Sequence, residues 1–309
     1  MTRFLVRRII SMLIVLFIIT TVTFFLMHAI PGGPFSRDKE LPPAVLAAIE
    51  ARYKLDQPIW RQYLDYMGNL LRGDLGPSFK YVGRQVTDMI KQSFPISATL
   101  GLLAVSTALA LGIPAGITSA LKQNKWQDNA VMFFAIIGVS VPSFVIAAVL
   151  MYVFALKLRW LPPAMWGKPS QAIMPVVALA AMSMAIFARL MRSSMLEVVN
   201  QDYIKVARAK GLPERTVIWR HAVRNALIPV VTVAGPLVAD VLTGSFVIER
   251  IFAIPGLGRH FVTSINNRDY TVTLGVTVFY SAFLVLMMLL VDLAYAWLDP
   301  RIKITGEKE

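Results

Sequence analysis

The chain has 309 residues, is 56% hydrophobic with a mean hydropathy of +0.61, and carries a formal net charge of +13. That hydrophobicity excludes an ordinary soluble domain, and in a membrane chain a basic excess marks cytoplasmic loops rather than nucleic-acid binding. With no cysteine and three scattered histidines (His28, His221, His260), there is no disulfide framework, thiolate nucleophile or metal-ligand set; no GxxxxGK[ST] phosphate loop is present either.

Arg3, Arg7 and Arg8 precede an apolar run from Ile9 to about Ile30. The run exceeds the apolar core of a secretory signal and no small-x-small cleavage site follows, so it reads as a retained first span. From 31 to 95 the chain turns polar, with an amphipathic stretch at Ala44–Leu55 and near-helical apolar spacing at Ile59–Leu71. This predicts a small helical extracytoplasmic insertion.

Five further spans are expected, each near the roughly 20 apolar residues that a bilayer requires: about 96–121, 130–156, 172–188, 226–248 and 272–297. The fold class is thus an all-α membrane protein with six transmembrane helices. Its division is 1–30 first span, 31–95 insertion, 96–300 transmembrane core containing the loop 189–225, and 301–309 tail. Sixteen Lys and Arg lie at the two termini, at Lys122 and Lys125, and in 189–225, against six in the short loops of the opposite side. The long 31–95 loop scarcely votes on orientation, so both termini and the 189–225 loop are expected in the cytoplasm.

Prolines interrupt several spans: Pro114 between Gly112 and Gly116, Pro142 in GVSVPSF, then Pro175, Pro229 and Pro236. Each removes a helix hydrogen bond, which a membrane tolerates where neighbours or a wet cavity satisfy the freed carbonyl. Ala104, Ala108, Gly112 and Gly116 make a small-residue face that lets another helix approach closely. Asp240 is a carboxylate deep in a span, where it must face protein or water. Two readings stand: Asp240 lines a substrate path with Ser140, Pro142, Thr243 and Ser245, or it makes a structural hydrogen bond to Thr243, Ser245 or a partner helix. Asp292 lies toward the cytoplasmic end of the last span, where interfacial exposure accounts for it.

The most patterned stretch is DYIKVARAKGLPERTVIWRHAVRNALIP, Asp202 to Pro229. It is too charged for hydrocarbon and too ordered for a linker. Asp202 is a suitable N-cap, Tyr203 to Lys210 hold helix formers, and Gly211 supplies a left-handed terminator. Pro213 and Glu214 suit the first turn of a second helix. The same residues also fit a basic inner-leaflet anchor.

ARAKG followed by RHAVRNALIP resembles the cytoplasmic "EAA" loop of permease subunits of ATP-binding-cassette (ABC) importers. Lys205, Val206 and Ala207 stand where the general consensus has Glu-Ala-Ala, and the gap from Gly211 to Pro229 is longer than the consensus gap. LPPAVLAAIEARYKLDQP with GDLGPSFKY resembles the first periplasmic loop of the B-type permeases of oligopeptide importers. IPGLG with NRDY again resembles the peptide-permease family, which implies an oligopeptide importer, with a dipeptide or nickel importer as the alternative. The resemblance implies a type I ABC importer transmembrane fold. It implies that Asp202, Tyr203, Ile204, Lys205, Val206, Ala207, Arg208, Ala209, Lys210 and Gly211 form a coupling helix docking on an ATPase. It also implies a homologous second permease, two ABC ATPase subunits that bind the ATP and Mg, an extracytoplasmic peptide-binding protein and a peptide substrate. This chain would then be a non-enzymatic subunit in the bacterial cytoplasmic membrane, in contact with lipid, with no cofactor of its own. Residues 249–270 read as an outer lip or as a plain connector. The rivals are a proton-driven secondary transporter, for which Asp240 is thin support, and an intramembrane hydrolase built on Ser140, His260 and Asp240.

Overall fold

The computed structural model describes residues 2–31, 33–35, 43–243 and 246–298, and among them the regular structure is helical. The chain forms two compact units, 1–97 with 255–309, and 98–254. The division falls inside one long helix.

The first unit begins with α1 (Thr2–Ala29), then α2 (Pro43–Arg52), α3 (Ile59–Leu71) and the start of α4 (Val86–Leu121). It ends with α12 (Leu257–Asn267) and α13 (Tyr270–Leu298). α1 packs along α13, and Arg8 pairs with Asp292, so the carboxylate expected at an interface has an ionic partner. α4 opens before Pro95, which sits within the helix, so the second span is longer at its start than the apolar run indicates.

Two of the family-like stretches meet in this unit. Asp269 is buried and accepts from the Ser78 hydroxyl, from the Phe79 and Lys80 amides (3.1 and 3.3 Å) and from the Thr271 hydroxyl (3.0 Å). A buried carboxylate is tolerable when its oxygens are satisfied in this way. Asp269 therefore pins GDLGPSFKY to NRDY.

The second unit is built on α7 (Pro169–Val199), with α5 (Trp126–Ser140), α6 (Ser143–Leu150), α10 (Val223–Thr243) and α11 (Phe246–Ile251) packed against it. α7 runs on as helix well past Ala188, where the polar loop was expected to begin. Its buried Met191, Ser194 and Met195 continue the helical spacing that keeps one face covered.

Glycine sets how closely the helices approach. A Cβ on Gly112 would lie 2.7 Å from the Met184 carbonyl oxygen, on Gly116 2.5 Å from that of Ala188, and on Gly138 2.8 Å from that of Ala181. α4 and α5 thus rest directly on the α7 backbone, as small residues permit in membranes. Ala104 and Ala108, on the face expected to pack, are fully buried.

The third span departs from expectation. In place of one helix over 130–156, α5 and the segment Ser143–Lys157 meet at a bend of 111°. The cause is Pro142: a proline forces its predecessor out of the helical region, and Val141 is extended at φ −97°, ψ 122°. Beyond α6 the chain continues as a π-helix over Met151–Lys157. Among the described residues, five helices are long and apolar enough to cross a membrane, and the total reaches six if the bent pair is one span.

Candidate functional site

The polar stretch after α7 folds as a short helix held between two long ones. Asn200 and Gln201 follow α7, and α8 covers Asp202–Ala209. Gln201, not Asp202, is the N-cap residue, and it makes no side-chain cap bond. Asp202 is the first helical residue instead, and its carboxylate pairs with Lys205 one turn on at 2.9 Å. It thereby favours the positive end of the helix dipole without capping an amide.

The end of α8 follows the expectation for Gly211. Gly211 takes φ +74°. Its amide bonds the Arg208 carbonyl at 2.9 Å and the Leu212 amide reaches back to Ala207 at 3.4 Å, the paired bonds of a Schellman terminator. Pro213 occupies the N-cap of α9 (Glu214–Thr216), which passes into a π-helix over Val217–Ala222 and then into α10. Arg208 and Glu214 clasp each other across this turn in a two-pronged pair, 2.7 and 3.2 Å. The hydrogen bonds it donates to Glu214 raise the Arg208 guanidinium above its ordinary pKa.

α8 has two unlike faces. Ile204 and Ala207 are buried and hold the helix against the π-helical segment. Tyr203 and Val206, on the other side, are half exposed, and the Tyr203 hydroxyl is held at 2.9 Å by the Asn225 amide. Lys205, Ala209, Lys210 and Gly211 are exposed, as are Arg208 and Asp202. An aqueous helix that keeps an aromatic and a branched aliphatic side chain outside, ringed by charge, has the make-up of a docking surface.

Sequence reasoning did not find a network at the start of α5. Asp128, in the first turn of α5, is buried and accepts two bonds from Arg192 of α7, at 2.6 and 2.8 Å. Ser119 of α4 donates to the same carboxylate, and so does the Asn124 amide at 2.9 Å. One aspartate thus fastens the α4–α5 turn to α7, close in sequence to where α8 begins. The only hint in the sequence was an acidic residue at a helix start beside basic Lys122 and Lys125.

The residues expected along a substrate path fall in different places. Ser140 ends α5 and Pro142 caps α6, both exposed at the break. Asp240 lies on an exposed side of α10. Thr243 ends that helix, and its side chain and all of Ser245 lie outside the described residues.

Two family models cover the chain. Residues 112–304 match the binding-protein-dependent transport system inner membrane component, and 1–101 match the N-terminal part of such a membrane component. Among curated relatives, the dipeptide transport system permease protein DppB of Bacillus subtilis is 49% identical over 98% of this chain and 99% of its own length. The oligopeptide transport system permease protein OppB of Salmonella typhimurium is 46% identical over 98% of this chain and 100% of its own. Among solved structures, the inward-facing MetNI methionine ABC transporter superposes with a TM-score of 0.57 at 16% identity, covering 69% of this chain and 97% of that one. At that identity the likeness speaks for the fold, which is the expected type I ABC importer transmembrane fold. By the family models and the full-length relatives together, the chain belongs to the binding-protein-dependent transport system inner membrane components.

Proposed function

We propose that the chain is a permease subunit of an ATP-driven peptide importer, forming half of the translocation path and receiving its drive through α8. The observation that carries this reading is α8 itself: a short amphipathic helix, terminated at Gly211 and chained between α7 and α10, with Tyr203 and Val206 turned outward. Near-full-length identity to OppB and DppB permeases supports peptide as the cargo.

In this reading the residues from Asp202 to Gly211 seat on a separate ATPase subunit, which supplies ATP and Mg. The chain binds no nucleotide and catalyses no reaction. A homologous second permease completes the path, a second ATPase completes the motor, and an extracytoplasmic binding protein delivers peptide. In this reading Ser140, Pro142, Asp240, Thr243 and Ser245 are the residues assigned to that path. The termini and α8 are on the cytoplasmic side, as the Lys and Arg distribution indicates. Coupling requires that the ATPase dimer hold α8 differently in its closed and open forms, because only differential contact can shift the equilibrium of the permease.

Reconstitution tests this directly. Vesicles holding the two permeases and both ATPases, with the binding protein outside and ATP inside, accumulate labelled tri- to pentapeptides. Competition with unlabelled dipeptide separates an oligopeptide importer from a dipeptide one. Accumulation without the ATPases, or none of any peptide in the complete system, sinks the reading. Because the chain has no cysteine, Val206→Cys offers a unique site that should cross-link to an ATPase and to no extracytoplasmic protein.

A further inference from the structure

We infer that α3 is an interfacial helix, with its Trp60–Leu64–Met67–Leu71 stripe set among the acyl chains and headgroups at the carboxyl end of α1. This deepens the membrane assignment and rests on α1 being a span, whatever solute is carried.

The argument is one of depth. Tyr63 of α3 is hydrogen-bonded to Thr21 of α1 at 2.7 Å, and its ring stacks on Phe25 with centroids 5.4 Å apart. The Thr21 hydroxyl already donates to the Phe17 carbonyl at 2.7 Å, so Tyr63 is the donor in this pair. Thr21 lies eight residues before Ala29, the end of α1. At 1.5 Å per residue it is about 12 Å down the helix. The candidate span runs from Val6 to Ala29, so Thr21 is inside it rather than above it. Gln62 meets His28 at 3.3 Å, near the top. α3 is therefore packed against the membrane-embedded part of α1, at a depth like the roughly 5–10 Å to which interfacial helices bury their apolar faces.

The faces of α3 sort accordingly. Gln62, Tyr63 and Tyr66 are turned to α1. Gln62, Asp65, Tyr66 and Asn69 line a cavity of about 230 Å³ on the polar side. The remaining face carries Trp60, Leu64, Met67 and Leu71, spaced at about one turn each. Trp60, Leu64 and Leu71 are 61%, 58% and 85% exposed, which is hard to account for in water. The exposed apolar surface of α1 (Val22, Phe25, Leu26) adjoins it through the Phe25–Tyr63 stack. Lipid that covers α1 at this level also covers the stripe. Arg61 and the tryptophan are the residue types that settle at such a boundary.

Spin labelling decides the matter. Leu64→Cys, Leu71→Cys and Asp65→Cys are each labelled with a nitroxide in the complete transporter, reconstituted in phosphatidylethanolamine–phosphatidylglycerol vesicles, and each variant is checked for wild-type folded yield and melting temperature. Collisions with dissolved oxygen should exceed those with a water-soluble nickel chelate at Leu64 and Leu71, and the order should reverse at Asp65. Nickel access at Leu64 and Leu71 equal to that at Asp65 would place the stripe in water and overturn the inference. Exclusion of both oxygen and nickel would mean a protein partner covers the stripe, which overturns it equally. Neither result bears on whether peptide is the cargo.

Discussion

The α7 core and the α8 loop adjoin in sequence and are built on opposite terms. Around α7, backbone meets backbone with no room for a methyl group at Gly112, Gly116 or Gly138, and a buried aspartate satisfied from three elements closes one end. α8 is held by two buried side chains, one tyrosine hydrogen bond and an ion pair open to solvent. Packed interiors are stiff and do not yield continuously, whereas few buried contacts and exposed bonds mark a segment that can shift cheaply. Under the proposed coupling, the stiff part carries a displacement and the compliant part accepts it.

Variants can break this contrast, and their expected effects descend from core to loop. Gly116→Val should be the most damaging. Overpacking usually costs about 1–3 kcal/mol, and here the first obstacle is a backbone oxygen, so the loss should exceed about 3 kcal/mol, read as a fall in melting temperature and in folded yield in detergent. Asp128→Asn leaves Arg192 without its countercharge. Removing one member of a buried pair costs about 3–5 kcal/mol; Arg192 is 24% exposed while Asp128 is 3%, which lowers the expectation to about 2–3 kcal/mol. Combining it with Arg192→Gln should cost less than the two single changes summed, in a double-mutant melting cycle.

Gly211→Val tests the compliant side. No atom lies within 4 Å of a Cβ at Gly211, so the cost is the left-handed backbone alone, about 1–2 kcal/mol. The protein should still insert, while ATP-driven uptake is lost. Full uptake in this variant would remove α8 from the coupling route. Smallest of all, Arg208→Ala should lower stability by under about 1 kcal/mol, because the pair it breaks is solvent-exposed. That difference should vanish in high salt. A core-sized loss from Arg208→Ala would mean that α8 is not the loosely held element described here.

What the sequence disclosed followed range. Gly211, Pro142 and the small residues of α4 act through local backbone rules, so a turn, a break and a close-packed face could be read from a few neighbours. The sharpness of the 111° bend could not, since a proline fixes its predecessor's conformation and not the angle the neighbours then select. Asp128 and Arg192 are 64 positions apart and advertise nothing until folding joins them. The same holds for Asp269 and Ser78, which stand in two stretches noticed separately. Asp202 looked like a cap because its residue type caps well, yet the chain enters α8 one residue sooner. Trp60 and Leu64 were legible as one face of a helix, but not the depth at which Tyr63 fastens that helix.

The joints on either side of α8 have a mechanical consequence. Only Asn200 and Gln201 separate it from α7, and two residues stretch to about 7 Å at most. Across the other joint, the backbone bonds at Gly211 and the clasp from Arg208 to Glu214 take up whatever play remains. Under the proposed coupling, α8 can swing on its few side-chain contacts but can travel no farther than these two joints reach. A stroke longer than about 7 Å would have to tilt the long helices or rewind the π-helical turns at Val217–Ala222.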